Sequence, residues 1–206
     1  MPAISDLEIL EIWKKDLENY FQQHRISLTT NDAELGVKKW VLLIEEELQK
    51  LWLYKVGTGS YPQTNSNINQ SLNFRIQLLA LSAERAREAF DALLQVIELY
   101  TERNIPLPSS IATWKEKYDS AQCQRPRQHG PSKYSNWGRD IHIAWSIYAL
   151  ELGGLSPTRN DASISICGCD LVTDAYIEVT RNPMNYRLAK SIWKRYSNPK
   201  ATLSEF

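Results

Sequence analysis

Residues 183–196 read PMNYRLAKSIWKRY, and this stretch predicts an amphipathic helix. At 100° per residue, its apolar side chains form one continuous arc and its cations fill the opposite arc. Between residues 181 and 200 the chain has six Lys and Arg residues and no Asp or Glu. The helix therefore has one side for a core and another side that keeps a positive charge.

A second helix is expected just before it, from Arg159 to Thr180, with a possible break at Gly168. Asn182 as cap and Pro183 at the first helical position would then start the basic helix. A helix, a short turn and a basic amphipathic helix are the layout of a helix-turn-helix, whose second helix enters the major groove of DNA. The sequence thus predicts a helix-turn-helix-like hairpin.

Two features argue against that use of the hairpin. The turn around residues 181 and 182 has no glycine, and the preceding helix carries an acidic stripe that would repel DNA. In the alternative reading, these carboxylates balance the basic helix through surface ion pairs, each worth little. The stripe comprises Asp170, Asp174 and Glu178.

The candidate nucleic-acid-binding residues are the cationic and small polar members of the C-terminal stretch: Arg181, Asn185, Arg187, Lys190, Ser191, Lys194 and Arg195. Their side chains suit hydrogen bonds to phosphates or bases. A second basic segment, residues 122–133, would supply an arm that contacts phosphates through Arg125, Arg127 and Lys133. An ordinary exposed loop is the alternative for this arm.

The same region carries a series of short motifs. They are Asn136-Trp137-x-Arg139-Asp140, Gly154-Leu155-x-Pro157-Thr158-Arg159-Asn160, Cys169-Asp170-Leu171-Val172, Tyr186-Arg187 and Ile192-Trp193-Lys194-Arg195. With these motifs, residues 136–196 resemble the C-terminal part of small uncharacterised proteins carried by phages and other mobile elements of bacteria. The resemblance implies a mobile-element setting. It supplies no activity or catalytic residue, and it leaves residues 1–108 unexplained.

The N-terminal half is expected to be a bundle of long helices. Apolar residues recur at helical spacing over residues 6–24, from Leu35 to about residue 55, and over residues 72–102. Thr29 and Asp32 form a capping-box pattern before the second of these helices. Ser5 and Glu8 form a capping-box pattern for the first helix, which would pair with the second as an antiparallel hairpin. The polar segment 57–71 is expected to be a long loop. The bundle either forms within one chain or pairs with a second copy as a homodimer.

Two prolines in Ile105-Pro106-Leu107-Pro108 place a domain boundary after the third helix, because neither can donate a backbone hydrogen bond. A short helix capped by Ser109 or Ser110 and a helix capped by Asn136 follow. The expected fold is therefore all-α, with a long-helix domain over residues 1–104 and a smaller helical domain over residues 109–200.

Composition limits the class of function. The 206 residues are 43% hydrophobic and carry no net charge, but residues 1–104 have 11 Lys/Arg against 15 Asp/Glu and residues 105–206 have 13 against 9. A neutral chain argues against non-specific coating of nucleic acid. The excess of positive charge in the second half still allows a local basic surface that contacts phosphates. Three cysteines without a secretory signal or a membrane-length apolar run indicate a reducing compartment, which we expect to be the cytoplasm.

Enzyme and metal motifs offer little. Cys167 and Cys169, with Cys123 and His129, supply enough ligands for zinc, but residues two apart on a helix point about 200° away from each other. No phosphate-binding loop, dinucleotide-binding pattern or nucleophile motif is present. We therefore expect no metal, no cofactor and no enzymatic activity.

Two functional hypotheses remain. The first is a non-enzymatic nucleic-acid-binding or nucleoprotein-associated protein of a mobile genetic element. It would contact phosphates through Arg187, Lys190, Lys194 and Arg195. The second is a helical protein-interaction module, an inhibitor or adaptor that docks on a larger assembly with exposed aromatic residues and segment 57–71. The seven tryptophans distinguish the two, because exposed clustered rings favour a protein partner and buried rings beside an open cationic face favour nucleic acid.

Overall fold

The computed structural model describes residues 6–60, 67–127, 136–159 and 166–197. Within these ranges all regular secondary structure is helical, which confirms the all-α prediction. The helices are α1 (Asp6–Gln23), α2 (Arg25–Thr29), α3 (Ala33–Thr58), α4 (Asn67–Ala83), α5 (Arg87–Glu102), α6 (Ser109–Asp119), α7 (Trp137–Leu152), α8 (Gly168–Thr180) and α9 (Tyr186–Tyr196). No helix in the described ranges combines the length and apolarity that crossing a membrane requires.

The chain forms two compact units. Unit 1 comprises residues 1–30 and 139–198, and unit 2 comprises residues 31–138 and 199–206. These units do not coincide with the domains expected at 1–104 and 109–200, because α1 packs against α8 while α6 packs against α4. The proline segment at 105–108 therefore lies inside unit 2. The first two long helices, α1 and α3, were expected to pair within one bundle, but they belong to different units.

Unit 1 is organised around α8, which packs against α1, α2 and α9. Phe21 of α1 and Tyr176 of α8 are buried and meet edge to face, with ring centroids 6.3 Å apart. The buried His142 of α7 forms a hydrogen bond through Nδ1 with the Tyr20 hydroxyl at 2.7 Å. Apolar burial and paired polar groups thus hold α1 to the C-terminal helices, although more than 100 residues of chain separate them.

Unit 2 has its core where α3, α4 and α5 pack against one another. Trp40 of α3 is fully buried, and its indole nitrogen donates to the Arg75 carbonyl at 3.2 Å. The Arg75 guanidinium lies 4.8 Å from the centre of the Trp40 ring and donates to Glu47 at 2.8 Å. A buried charge costs much less when it is paired and hydrogen-bonded, so this network lets a charged residue sit in the core.

The third predicted helix, residues 72–102, is in fact two helices. α4 ends at Ala83, α5 begins at Arg87, and Ala86 between them is extended, with φ −123° and ψ 124°. The sequence Ala83-Glu84-Arg85-Ala86 consists of good helix formers, so intrinsic propensity does not predict the break. The chain turns there because the apolar faces of α4 and α5 pack against each other as a hairpin.

Helix ends agree with the sequence signals at some positions only. The cap of α3 is Asp32 and not Thr29, which the capping-box pattern placed there, since the Asp32 side chain accepts from the N–H groups of Glu34 and Leu35. Thr29 is the last residue of α2. Neither Ser109 nor Ser110 caps α6, because the helix begins at Ser109 and Pro108 occupies the cap position. Segment 57–71 is only partly a loop, since α3 runs to Thr58 and α4 starts at Asn67. The predicted cap Ser5 lies outside the described residues.

Candidate nucleic-acid interface

The predicted C-terminal hairpin is present, because α8 and α9 pack against each other across residues 181–185. Arg181 follows α8 in the left-handed conformation, with φ 59° and ψ 14°, and its N–H donates to the Ile177 carbonyl. Left-handed residues commonly end helices and are usually glycine. The turn therefore has the geometry for which glycine is normally used, although an arginine occupies the position.

The start of α9 differs from the prediction. The helix begins at Tyr186, and Asn185 rather than Asn182 is its cap, with Oδ1 accepting from the Leu188 N–H at 2.9 Å. Met184 is buried, and Asn185 has an extended backbone. The chain before α9 thus places an apolar side chain in the core, so a helix starting at Pro183 is not formed.

α9 has the two faces that its sequence predicts. Its core face buries Ala189, Ile192, Trp193 and Tyr196. On the other side, Arg187, Ser191 and Lys194 are exposed and Lys190 is half-buried. We call the residues Arg187, Lys190, Ser191 and Lys194 the basic face of α9.

The cations of the basic face differ in their surroundings. The Lys190 ammonium lies 5.2 Å from the centre of the Tyr186 ring, within the range of a cation–π interaction. Neither Arg187 nor Lys194 forms an ion pair with any residue that the structure describes. These two side chains therefore present their charge to solvent.

Arg195 has a structural partner that the sequence analysis missed. Its Nη1 atom lies 3.1 Å from Oδ2 of Asp140, whose side chain is only 8% exposed. The other Asp140 oxygen accepts two hydrogen bonds from Arg139, at 2.9 and 2.7 Å. Arg195 thus shares the buried Asp140 carboxylate with Arg139 and holds α9 to α7, a structural role beside its predicted phosphate contact.

Two other predicted contact residues also have local roles. Asn185 is the cap of α9, so its Oδ1 atom is already engaged. Arg181 lies 3.1 Å from the Glu178 carboxylate, one turn away, and both side chains are largely exposed. Such exposed ion pairs contribute little free energy, so the pairing with Glu178 does not prevent Arg181 from contacting a phosphate.

The acidic stripe of α8 does not balance α9 in the way that the alternative reading expected. Asp170 pairs with Arg159 at 2.9 Å, Glu178 pairs with Arg181, and Asp174 is exposed. Among the described residues, no ion pair joins a carboxylate of this stripe to a cation of α9. The carboxylates of the stripe thus leave the charges of Arg187 and Lys194 exposed.

Arg159 links the start of α8 to α9, and sequence reasoning did not single it out. Besides pairing with Asp170, its guanidinium lies 4.6 Å from the centre of the Tyr186 ring. The Tyr186 hydroxyl donates to the Arg159 carbonyl at 2.9 Å and accepts from its N–H at 3.3 Å. A tyrosine at the first position of α9 was the available signal, because its hydroxyl requires a partner when it is partly buried.

Asp170 is the electrostatic centre of this network. It also accepts from the Cys167 N–H at 3.2 Å, which completes the start of α8. Burial alone would raise the pKa of Asp170, but the hydrogen bonds from Arg159 and Cys167 lower the pKa below its ordinary value. Asp170 is therefore held as a carboxylate.

The second basic segment and α9 belong to different units. Arg125 and Arg127 belong to unit 2, whereas α9 belongs to unit 1. Arg125 makes a two-pronged ion pair with Asp91, and Arg127 is exposed. Lys133 lies outside the described residues. The structure thus gives Arg125 a role within unit 2.

Most tryptophans are in the core. Trp40, Trp114, Trp137, Trp145 and Trp193 are buried, and Trp13 is half-buried. Trp52, near the end of α3, is 37% exposed.

The cysteines do not form a reactive or metal-binding group in the described ranges. None of the three makes a disulfide, and no group of three potential ligands from His, Cys, Asp and Glu comes together there. Burial raises the pKa of Cys169 to about 12 and also raises that of Cys167. Both thiols are therefore protonated near neutral pH, which makes them poor nucleophiles.

Comparison of the chain with protein families, with curated proteins and with solved structures finds no match in any of the three.

Proposed function

We propose that this protein binds nucleic acid without catalysing a reaction, and that it contacts phosphates with the basic face of α9. The observation that carries the proposal is the pairing pattern of this helix. Arg195 pairs with a buried carboxylate, while Arg187 and Lys194 are exposed without an ion pair to any described residue. Phosphate contacts of this kind supply most of the affinity of non-specific nucleic-acid binding.

Two further features support the proposal. α9 has four cations and no carboxylate, in a chain whose total charge is zero. Most of the tryptophans are buried, so they are unavailable as anchors for a protein partner. The resemblance of residues 136–196 to proteins of phages and mobile elements suggests that this binding takes place on the nucleic acid of such an element, in the bacterial cytoplasm.

The test is a salt series with a fluorescent DNA duplex and with the matching single strand. The double variant Lys190→Glu/Lys194→Glu should bind about tenfold more weakly or worse at 0.1 M salt, because two phosphate contacts become repulsive. The negative slope of log affinity against log salt should also become less steep by roughly 1.8 for a duplex, because two phosphate contacts are lost.

The matched control is Lys38→Glu/Lys50→Glu, which makes the same charge change on exposed residues of α3 in unit 2. This control should keep the affinity of the original protein. If neither form of DNA binds at low salt, or if both double variants weaken binding equally, the proposal is wrong.

A second candidate function is docking on a protein partner, and one specific observation favours it. The end of α3 exposes Trp52, Leu53, Tyr54 and Val56, of which Leu53 is 53% and Val56 62% exposed. Contiguous exposed apolar side chains are typical of interaction surfaces. A second copy of the chain is the simplest such partner, and light scattering of Leu53→Ser beside the original protein tests for a dimer.

A further inference from the structure

The rings near the basic face of α9 decide which form of nucleic acid it suits. Proteins that hold single strands combine cations with open aromatic rings, on which successive bases stack. Proteins that hold a duplex do not need such rings, because the bases are already stacked inside the double helix. The state of the aromatic residues of α9 therefore distinguishes the two ligands.

Every aromatic ring of α9 is already engaged. Trp193 and Tyr196 are buried in unit 1. Tyr186 lies against the Arg159 guanidinium at 4.6 Å and the Lys190 ammonium at 5.2 Å, and its hydroxyl is hydrogen-bonded to the Arg159 backbone. A base that stacks on Tyr186 has to compete with these two cations. The helix thus offers charge and a hydroxyl group without an open stacking platform.

The spacing of the basic face fits a groove lined by phosphates. Arg187, Lys190, Ser191 and Lys194 follow at intervals of three, one and three residues, so they form one stripe along two turns. At 1.5 Å per residue the stripe is about 10 Å long. A helix of about 10–12 Å diameter enters the major groove of B-form DNA, which is about 12 Å wide, but not the deep and narrow major groove of duplex RNA.

From the covered rings and the cationic stripe, we infer that the ligand of α9 is double-stranded DNA rather than a single strand or duplex RNA. This inference rests on the function proposed above and specifies its ligand. In such a complex the stripe lies along the groove, with Arg187, Lys190 and Lys194 as its phosphate contacts and Ser191 as its hydroxyl group.

The experiment compares three probes of the same sequence with the full-length protein: a 20-base-pair DNA duplex, one of its strands, and the corresponding RNA duplex. In fluorescence anisotropy at 0.1 M salt, the DNA duplex should bind about tenfold more tightly than either of the other probes. Lys194→Gln should weaken binding to DNA duplexes of unrelated sequence by similar factors and reduce the salt slope by about one.

Equal or tighter binding of the single strand, or of the RNA duplex, overturns the inference but leaves the proposed function standing. Absence of binding to all three probes at low salt overturns both. If Lys194→Gln weakens binding of the single strand only, the inference is also contradicted, because Lys194 then contacts the single strand and not the DNA duplex.

Discussion

Asp170 shows how single residues in unit 1 are tied together. Its carboxylate pairs with Arg159 and accepts from the N–H of Cys167, and Arg159 in turn contacts Tyr186 at the start of α9. Asp170 and Arg159 thus connect the start of α8 with the start of α9. Hydrogen bonds to a charged group contribute more than those between neutral groups, so this residue matters for the stability of the hairpin.

We predict that Asp170→Asn lowers the free energy of unfolding by about 1–2 kcal/mol at pH 7, because it removes a charged acceptor at a helix start. The folded state lowers the pKa of Asp170, so this stabilisation is complete above the unfolded value of about 3.9 and is lost as the pH falls through the folded value. The difference in unfolding free energy between the variant and the original protein should therefore shrink below about pH 4. Urea unfolding at several pH values measures it.

The control for this prediction is Asp174→Asn, one turn further along α8. Asp174 is exposed and forms no ion pair with a described residue, so the change should stay within about 0.5 kcal/mol. If both variants lower the free energy of unfolding equally, the effect comes from the lost negative charge on α8 and not from the contacts of Asp170.

At the level of the element, the end of α8 contains a local strain. Arg181 adopts φ 59°, a conformation that costs a non-glycine residue about 1–2 kcal/mol. Its ion pair with Glu178 is largely exposed and returns only a few tenths of a kcal/mol. The hairpin therefore keeps an arginine where glycine is more stable.

We predict that Arg181→Gly stabilises the protein by about 0.5–1 kcal/mol, since relief of the left-handed strain exceeds the lost ion pair and the added flexibility of the unfolded chain. The urea midpoint should rise without a change in the slope of unfolding free energy against urea. Glu178→Gln removes the same ion pair but keeps the strain, so it should change stability by only a few tenths of a kcal/mol. A lower midpoint for Arg181→Gly would refute the strain argument.

At the level of the whole molecule, one unit is nearly continuous in sequence and the other combines two distant segments. Unit 2 is continuous from residue 31 to 138 apart from the terminal residues 199–206, whereas unit 1 combines residues 1–30 with 139–198. In unit 1 the apolar surface of α8 is covered by α1 from the other end of the sequence. The C-terminal part therefore depends on the N-terminal helix.

We predict that a fragment of residues 31–138 is helical and unfolds cooperatively. A fragment of residues 109–206 should have little helix and no cooperative transition, because α8 then lacks α1 and exposes its core face. Circular dichroism with thermal unfolding measures both properties. A chain that joins residues 139–198 to residues 1–30 through a flexible Gly/Ser linker should recover cooperative unfolding. If residues 109–206 fold alone, α1 is not required by unit 1.

The sequence alone was sufficient for features that depend on local spacing. The helical period of apolar residues predicted α1, α3 and α9. The two faces of α9 follow from the same period, so the exposed positions of Arg187, Ser191 and Lys194 were predictable. Local patterns succeed here because side-chain direction repeats every 3.6 residues whatever the helix packs against.

Only the tertiary structure decided which helices belong together and which cations are engaged. The turn at residues 84–86 carries no sequence signal, since packing of α4 on α5 overrides helix propensity there. Arg195 meets Asp140 across 55 residues of chain, and α1 covers α8 from the opposite end. Such pairings depend on contacts between residues that are distant in sequence, and periodicity within one helix contains no information about its partner.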